Sequence, residues 1–165
     1  MTVQPIIKLL KQLIELHQRL LTVSNEKTDI LKKGDFDSLR ELLKKEQALV
    51  KNITQVEQKR MTELERWSTE KGLHVKDITV TTIIENHIEG PEKEELEKVT
   101  LELANTLHAL RSQEDLNKQL TEQSMQFIQL SLNMMTPPQI NNLNYGNKPQ
   151  QAPSNYKQSI FDSKA

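Results

Sequence analysis

Residues 91–135 read PEKEELEKVTLELANTLHALRSQEDLNKQLTEQSMQFIQLSLNMM, and this stretch decides the fold. After Pro91 it holds neither Gly nor Pro. Glu92, Glu94 and Glu95 suit a helix N-terminus, where the backbone dipole favours negative charge. One helix over the whole stretch would be roughly 65 Å long. A compact domain of this chain length is only a few tens of Å across. A helix of that length implies an elongated bundle or a coiled coil. Its first half carries one apolar stripe, Leu96, Val99, Leu103, Leu107 and Leu110. A polar patch begins at Arg111. Beyond it the helix is apolar on two sides. One set is Leu116, Leu120, Phe127, Leu130 and Met134; the other is Met125, Ile128, Leu132 and Met135. The two sets point about 140–200° apart on a helical wheel. A helix that is apolar on opposite sides must be covered on both.

Working outward, residues 75–88 are ambiguous. The run Ile78-Thr79-Val80-Thr81-Thr82-Ile83-Ile84 is β-branched enough for a strand. No second strand-like run exists to pair with it, so a short helix capped by Asp77 is the preferred reading. Upstream, Asp37 to about Glu70 carries a stripe of Leu39, Leu42, Leu43, Leu49, Val50, Ile53, Val56, Leu64 and Trp67, with Phe36 leading in. Glu46 and Arg60 break it, and Met61 lies on its edge. The first segment, about Val3 to Lys33, spreads its apolar residues over a face roughly 200° wide, broad enough to want two neighbours. His17, Ser24 and Lys27 interrupt one possible seam there. Between these two segments, Lys33-Gly34-Asp35-Phe36-Asp37 has basic residues to end one helix and Asp35 or Asp37 to cap the next. So short a connection makes the two helices antiparallel.

The four glycines, Gly34, Gly72, Gly90 and Gly146, all fall between periodic segments. Residues 137–165 hold four of the six prolines, many Asn, Gln and Ser, and both tyrosines. They read as a disordered tail. The predicted fold is therefore all-α: an elongated antiparallel bundle of three long helices and one short helix over residues 1–136, then the tail.

Composition agrees with the segments. The chain has 165 residues, 35% hydrophobic and 27% charged, with 4% aromatic residues. That supports long helices burying one face each, not a β-sandwich or barrel. Lys and Arg number 22 against 23 Asp and Glu, so no basic excess points to nucleic acid or an acidic membrane. The absence of Cys excludes disulfides, thiolate metal sites and thiol catalysis. No apolar run approaches a membrane span, and the N-terminus has charges within its apolar stretch, unlike a secretory signal. The expected location is the cytoplasm.

Chemistry-bearing constellations are missing. His17, His74, His87 and His108 show no metal-ligand spacing. The carboxylates read as solvated helix faces, with pairs such as Glu41–Lys45 at i, i+4. No glycine loop cradles phosphate, and no aromatics interleave with Lys or Arg for single-stranded nucleic acid. The expectation is a protein without enzymatic activity and without a cofactor.

What the sequence does offer is a surplus of apolar surface at Leu116, Leu120, Met125, Phe127, Ile128, Leu130, Leu132, Met134 and Met135. One reading fills both faces with the other two long helices. The other keeps one face for the bundle and docks a partner helix on the other. Three of the five methionines lie here, and unbranched, polarizable Met adapts to differently shaped partners. A third use is a homo-oligomer seam in a self-associating coiled coil.

The order of elements resembles the FlgN family of flagellar export chaperones. The likeness rests on the first helix, Ile6–Lys33, and the junction LKKGDFDSL, Leu31–Leu39. It also rests on LLKKEQALVKNITQVEQKR, Leu42–Arg60, and on LNKQLTEQSMQFIQLSLNMM, Leu116–Met135. Asn117 stands where the family often has Asn. The ending Phe161-Asp162-Ser163-Lys164-Ala165 is similar to that of bacillar members. The resemblance implies a small cytoplasmic helical protein that binds hook-associated (hook–filament junction) proteins through their amphipathic C-terminal helices before export. It implies a substrate-binding region toward the C-terminus, which coincides with Leu116–Met135. It also implies contact with the flagellar export apparatus, for which Tyr156–Ala165 is the candidate.

Overall fold

The computed structural model describes residues 2–74 and 78–135. Within them the chain is all-α, as expected. It forms α1 (Gln4–Lys33), α2 (Phe36–Glu70), α3 (Val80–Asn86) and α4 (Pro91–Met135). The expected tail and the expected cap Asp77 lie outside the described residues. The described residues up to Ser124 form one compact unit, and a second begins at Met125.

The turn between α1 and α2 follows from its residues. Lys32 and Lys33 occupy the last turn of α1, and Gly34 takes the left-handed conformation at φ 70°. Its N–H donates to Ile30 O and Leu31 O, satisfying carbonyls the helix would otherwise leave open. Asp35 then caps α2, its Oδ1 accepting from the Ser38 N–H at 3.1 Å. The Ser38 hydroxyl also donates to Asp35, and this bond above all holds the Asp35 carboxyl below the usual range.

Long-range bonds fix the helix directions. Lys27 of α1 meets Glu46 of α2, while Leu10 and Leu13 share a core with Leu64 and Trp67. Chain numbers rise on α1 as they fall on α2, so these two are antiparallel. Gln4 and Lys11 bond Glu95, Ser24 bonds Glu114 and Thr28 bonds Asn117, so α4 runs parallel to α1. The broad face of α1 thus has its two neighbours.

The apolar core lies toward the N-terminal end of α1. Val3, Ile6, Ile7, Leu10, Leu13 and Ile14 pack with Leu64, Trp67, Ile83, Leu96 and Val99. Trp67 is 1% exposed and Ile83 and Leu96 are fully buried. The Trp67 and His87 rings meet in a T-shaped contact, with centroids 5.9 Å apart.

The ambiguous segment is helical, but shorter than expected and capped elsewhere. Thr79 is the N-cap, its Oγ1 accepting from the Thr82 N–H, while the Thr82 Oγ1 accepts from the Thr79 N–H. Such reciprocal bonds satisfy two donors at once. Burial of Ile83 in the bundle then outweighs the β-branched propensity of the run.

Candidate functional site

The apolar packing of α1 gives way to a polar layer after Val23. The Lys27 Nζ donates to Glu46 Oε1 of α2 at 2.8 Å and to Glu114 Oε2 of α4 at 3.0 Å. Burial disfavours the ammonium, but the two carboxylates outweigh it and leave the Lys27 pKa above its ordinary value. The Ser24 hydroxyl donates to Glu114 Oε1 at 2.6 Å. Asn117, 2% exposed, donates through Nδ2 to Ser24 O at 2.8 Å and Oγ at 3.0 Å, and accepts from the Thr28 hydroxyl. Gln113 donates to Thr28 Oγ1. One cation therefore ties three helices, and each buried polar group beside it has a partner, as burial demands.

The structure corrects two expectations about the charged residues. Glu46 and Glu114 do not belong to solvated faces, because they turn in to Lys27. Glu41 pairs with Lys44 at 2.8 Å, one residue short of the expected Lys45. The sequence signal for the layer was the run Ser24, Lys27 and Thr28 in a seam otherwise apolar. Its partners lie 19 to 93 residues away and carry no local mark.

Past Asn117 the character of α4 changes again. Leu116 is 41% exposed and Leu120 is half-buried. From Met125 to Met135 the apolar side chains are open to solvent: Met125 66%, Phe127 71%, Ile128 43%, Leu130 58%, Leu132 61%, Met134 78% and Met135 79%. Both stripes are exposed here, so neither side of the helix end is sealed within the described chain. Ordinary surfaces scatter single apolar residues; here seven exposed ones fall within eleven consecutive positions, as two opposed stripes. No charged residue occurs between Gln123 and Met135, so the patch has no fixed charge of its own to orient a ligand.

A second apolar feature was not read from the sequence. A groove of about 500 Å³ lies between α2 and α4, with Leu10 and Leu13 of α1 at its floor and Ile78–Val80 at one end. On its α2 wall, Glu57 and Arg60 form a two-bonded pair, Nε to Oε2 at 2.9 Å and Nη2 to Oε1. The Arg60 guanidinium holds the Glu57 carboxyl below the usual range. Among the described residues, no group of three or more His, Asp or Glu is placed to hold a metal ion. Nor is any helix among them long and apolar enough to cross a membrane.

The sequence model of the FlgN family, described as FlgN protein, matches residues 1–153. The chain belongs to the FlgN family. It is also 37% identical over 166 residues to the Bacillus subtilis (strain 168) protein YvyG, an alignment covering 100% of both chains. No solved structure matches it. FlgN proteins are flagellar export chaperones and not enzymes, so membership assigns this chain a chaperone role among flagellar proteins.

Proposed function

We infer that this FlgN protein binds the amphipathic C-terminal helices of hook–filament junction proteins in the cytoplasm. It covers them against premature assembly and gives them up at the export gate. The observation that carries this reading is the exposure of Phe127, Leu130 and Met134 on one side of α4, and of Met125, Ile128 and Met135 on the other. A partner helix laid along either stripe removes apolar area from water on both molecules, at roughly 25 cal/mol per Å². The methionines let one surface accept cargo helices of different shape. Release requires that the contact stay moderate. An apolar patch with no charge between Gln123 and Met135 can let go without stranding a buried ion.

Size-exclusion chromatography with the purified C-terminal fragment of a hook-associated protein tests the reading. Co-elution in a stoichiometric complex supports it, and separate elution refutes it. The exposed stripe also favours self-association as a second reading. Light scattering over a dilution series decides that: an oligomer whose mass falls on dilution supports a homo-oligomer seam, and a monomer at every concentration removes it.

A further inference from the structure

Helix α3 occupies a trough that it fills only at one end. Its Ile83 is fully buried against the three long helices, and Val80 and Ile84 pack around that core. The groove of about 500 Å³ begins where α3 begins, at Ile78–Val80. Its floor is apolar and buried, Leu10, Leu13 and Leu64 each at most 5% exposed, while its rims, Met61 on α2 and Leu107 on α4, are 43% and 41% exposed. The seam continues past the groove. On α2 the residues 64, 60, 57, 53 and 50 step by three or four along one face, and Val50 is 47% exposed. On α4 the steps from 100 through 103 and 107 reach half-buried Leu110. The seam stops at Glu46 and Glu114, which Lys27 draws together. From Leu10 to Lys27 is 27 − 10 = 17 residues of α1, or roughly 26 Å at ~1.5 Å per residue.

Three observations say what fits there. First, the element already seated at the end of the trough is a helix with its apolar face inward, so the continuation of that interface takes the same kind of element. Second, the Thr100 hydroxyl on the α4 wall is buried and has no hydrogen-bond partner, which is costly unless an occupant supplies one. Third, the far end presents two carboxylates to one ammonium, a net charge of −1 that a basic side chain would complement.

We propose that this groove is a second seat for the exported partner, taking an amphipathic helix of about 17 residues as the fourth helix of a bundle with α1, α2 and α4. The occupant carries apolar residues at three- and four-residue spacing, a polar side chain opposite Thr100, and a Lys or Arg at the Lys27 end. This seat is distinct from the end of α4, and it rests on the reading above that the protein binds partner helices.

The chain has no Cys, so one introduced thiol reports alone. Leu107→Cys and Met61→Cys each place it on a groove rim, and Phe127→Cys places it on the α4 end. All three positions are exposed, so the full chain tolerates the change. Alkylation by a maleimide is timed with and without a saturating C-terminal fragment of a hook-associated protein. The proposal expects labelling at both rim positions to slow about tenfold, the protection given by a site about nine-tenths occupied. Protection of Phe127→Cys alone overturns the groove and leaves the chaperone reading standing. No protection at any position, with no co-elution of the fragment, overturns that reading and the groove with it.

Discussion

Replacing Lys27 by Met removes the one cation from the polar layer and keeps most of the side-chain volume. Glu46 and Glu114, 20% and 38% exposed, then face each other across a gap that Lys27 had filled. Removing one partner of a fully buried ion pair costs about 3–5 kcal/mol. These carboxylates reach water in part, so the expected cost is about 1.5–3 kcal/mol. For a domain of this size that lowers Tm by about 5–10 °C. Circular dichroism melts at neutral pH measure it. A companion variant, Lys27→Met with Glu46→Leu and Glu114→Leu, removes all the charges together and is expected to regain the loss or exceed the parent. The pH dependence has a definite sign. Because the folded-state Lys27 pKa is raised, its contribution is fully present below about 10.4 and is lost only as pH climbs through the higher folded value. The Lys27→Met chain lacks that alkaline decline. A single variant melting within 1 °C of the parent would show that the layer does not hold the three helices, and the reasoning from it would fail.

Three further outcomes follow from the same geometry. Trp67→Ala empties the site of the largest buried side chain and should cost about 3–5 kcal/mol, read from urea denaturation followed by circular dichroism. The Glu57 carboxyl is held low by Arg60, so its contribution is present above about pH 4.3 and is lost as pH falls through the lower folded value. Arg60→Met should therefore flatten part of the acid limb of the stability curve, and an unchanged limb would contradict this. Because Gln123–Met135 carries no charge, binding of the partner fragment at the α4 end should change less than about twofold between low and physiological salt; a steep salt dependence would place the contact elsewhere.

What was legible in the sequence was whatever local chemistry dictates. Gly34 marked the first turn and narrowed the next helix's cap to Asp35 or Asp37, because both are settled within five residues; the structure selects Asp35. The surplus of apolar surface after Leu116 was legible because two opposed stripes on one helix exceed what a bundle of this size can cover. The start of α3 was missed because Thr79 and Thr82 act through reciprocal bonds that a run of β-branched residues conceals. The polar layer was seen only as an interruption of a seam, since Lys27 says nothing locally about Glu114, 87 residues on. The groove was not legible at all. It arises from the spacing of three helices and from α3 being only seven residues long, too short to fill the trough it enters.

The most direct test of the account is a calorimetric titration of the C-terminal fragment of a hook-associated protein into the parent chain and into Phe127→Asp/Leu130→Asp. Both positions are well exposed, 71% and 58%, so the variant should melt within about 2 °C of the parent. Two apolar anchors turned into charges should weaken binding by about 100-fold or more. A folded variant that takes up the fragment with the parent's affinity would contradict the claim that the open end of α4 is where cargo docks.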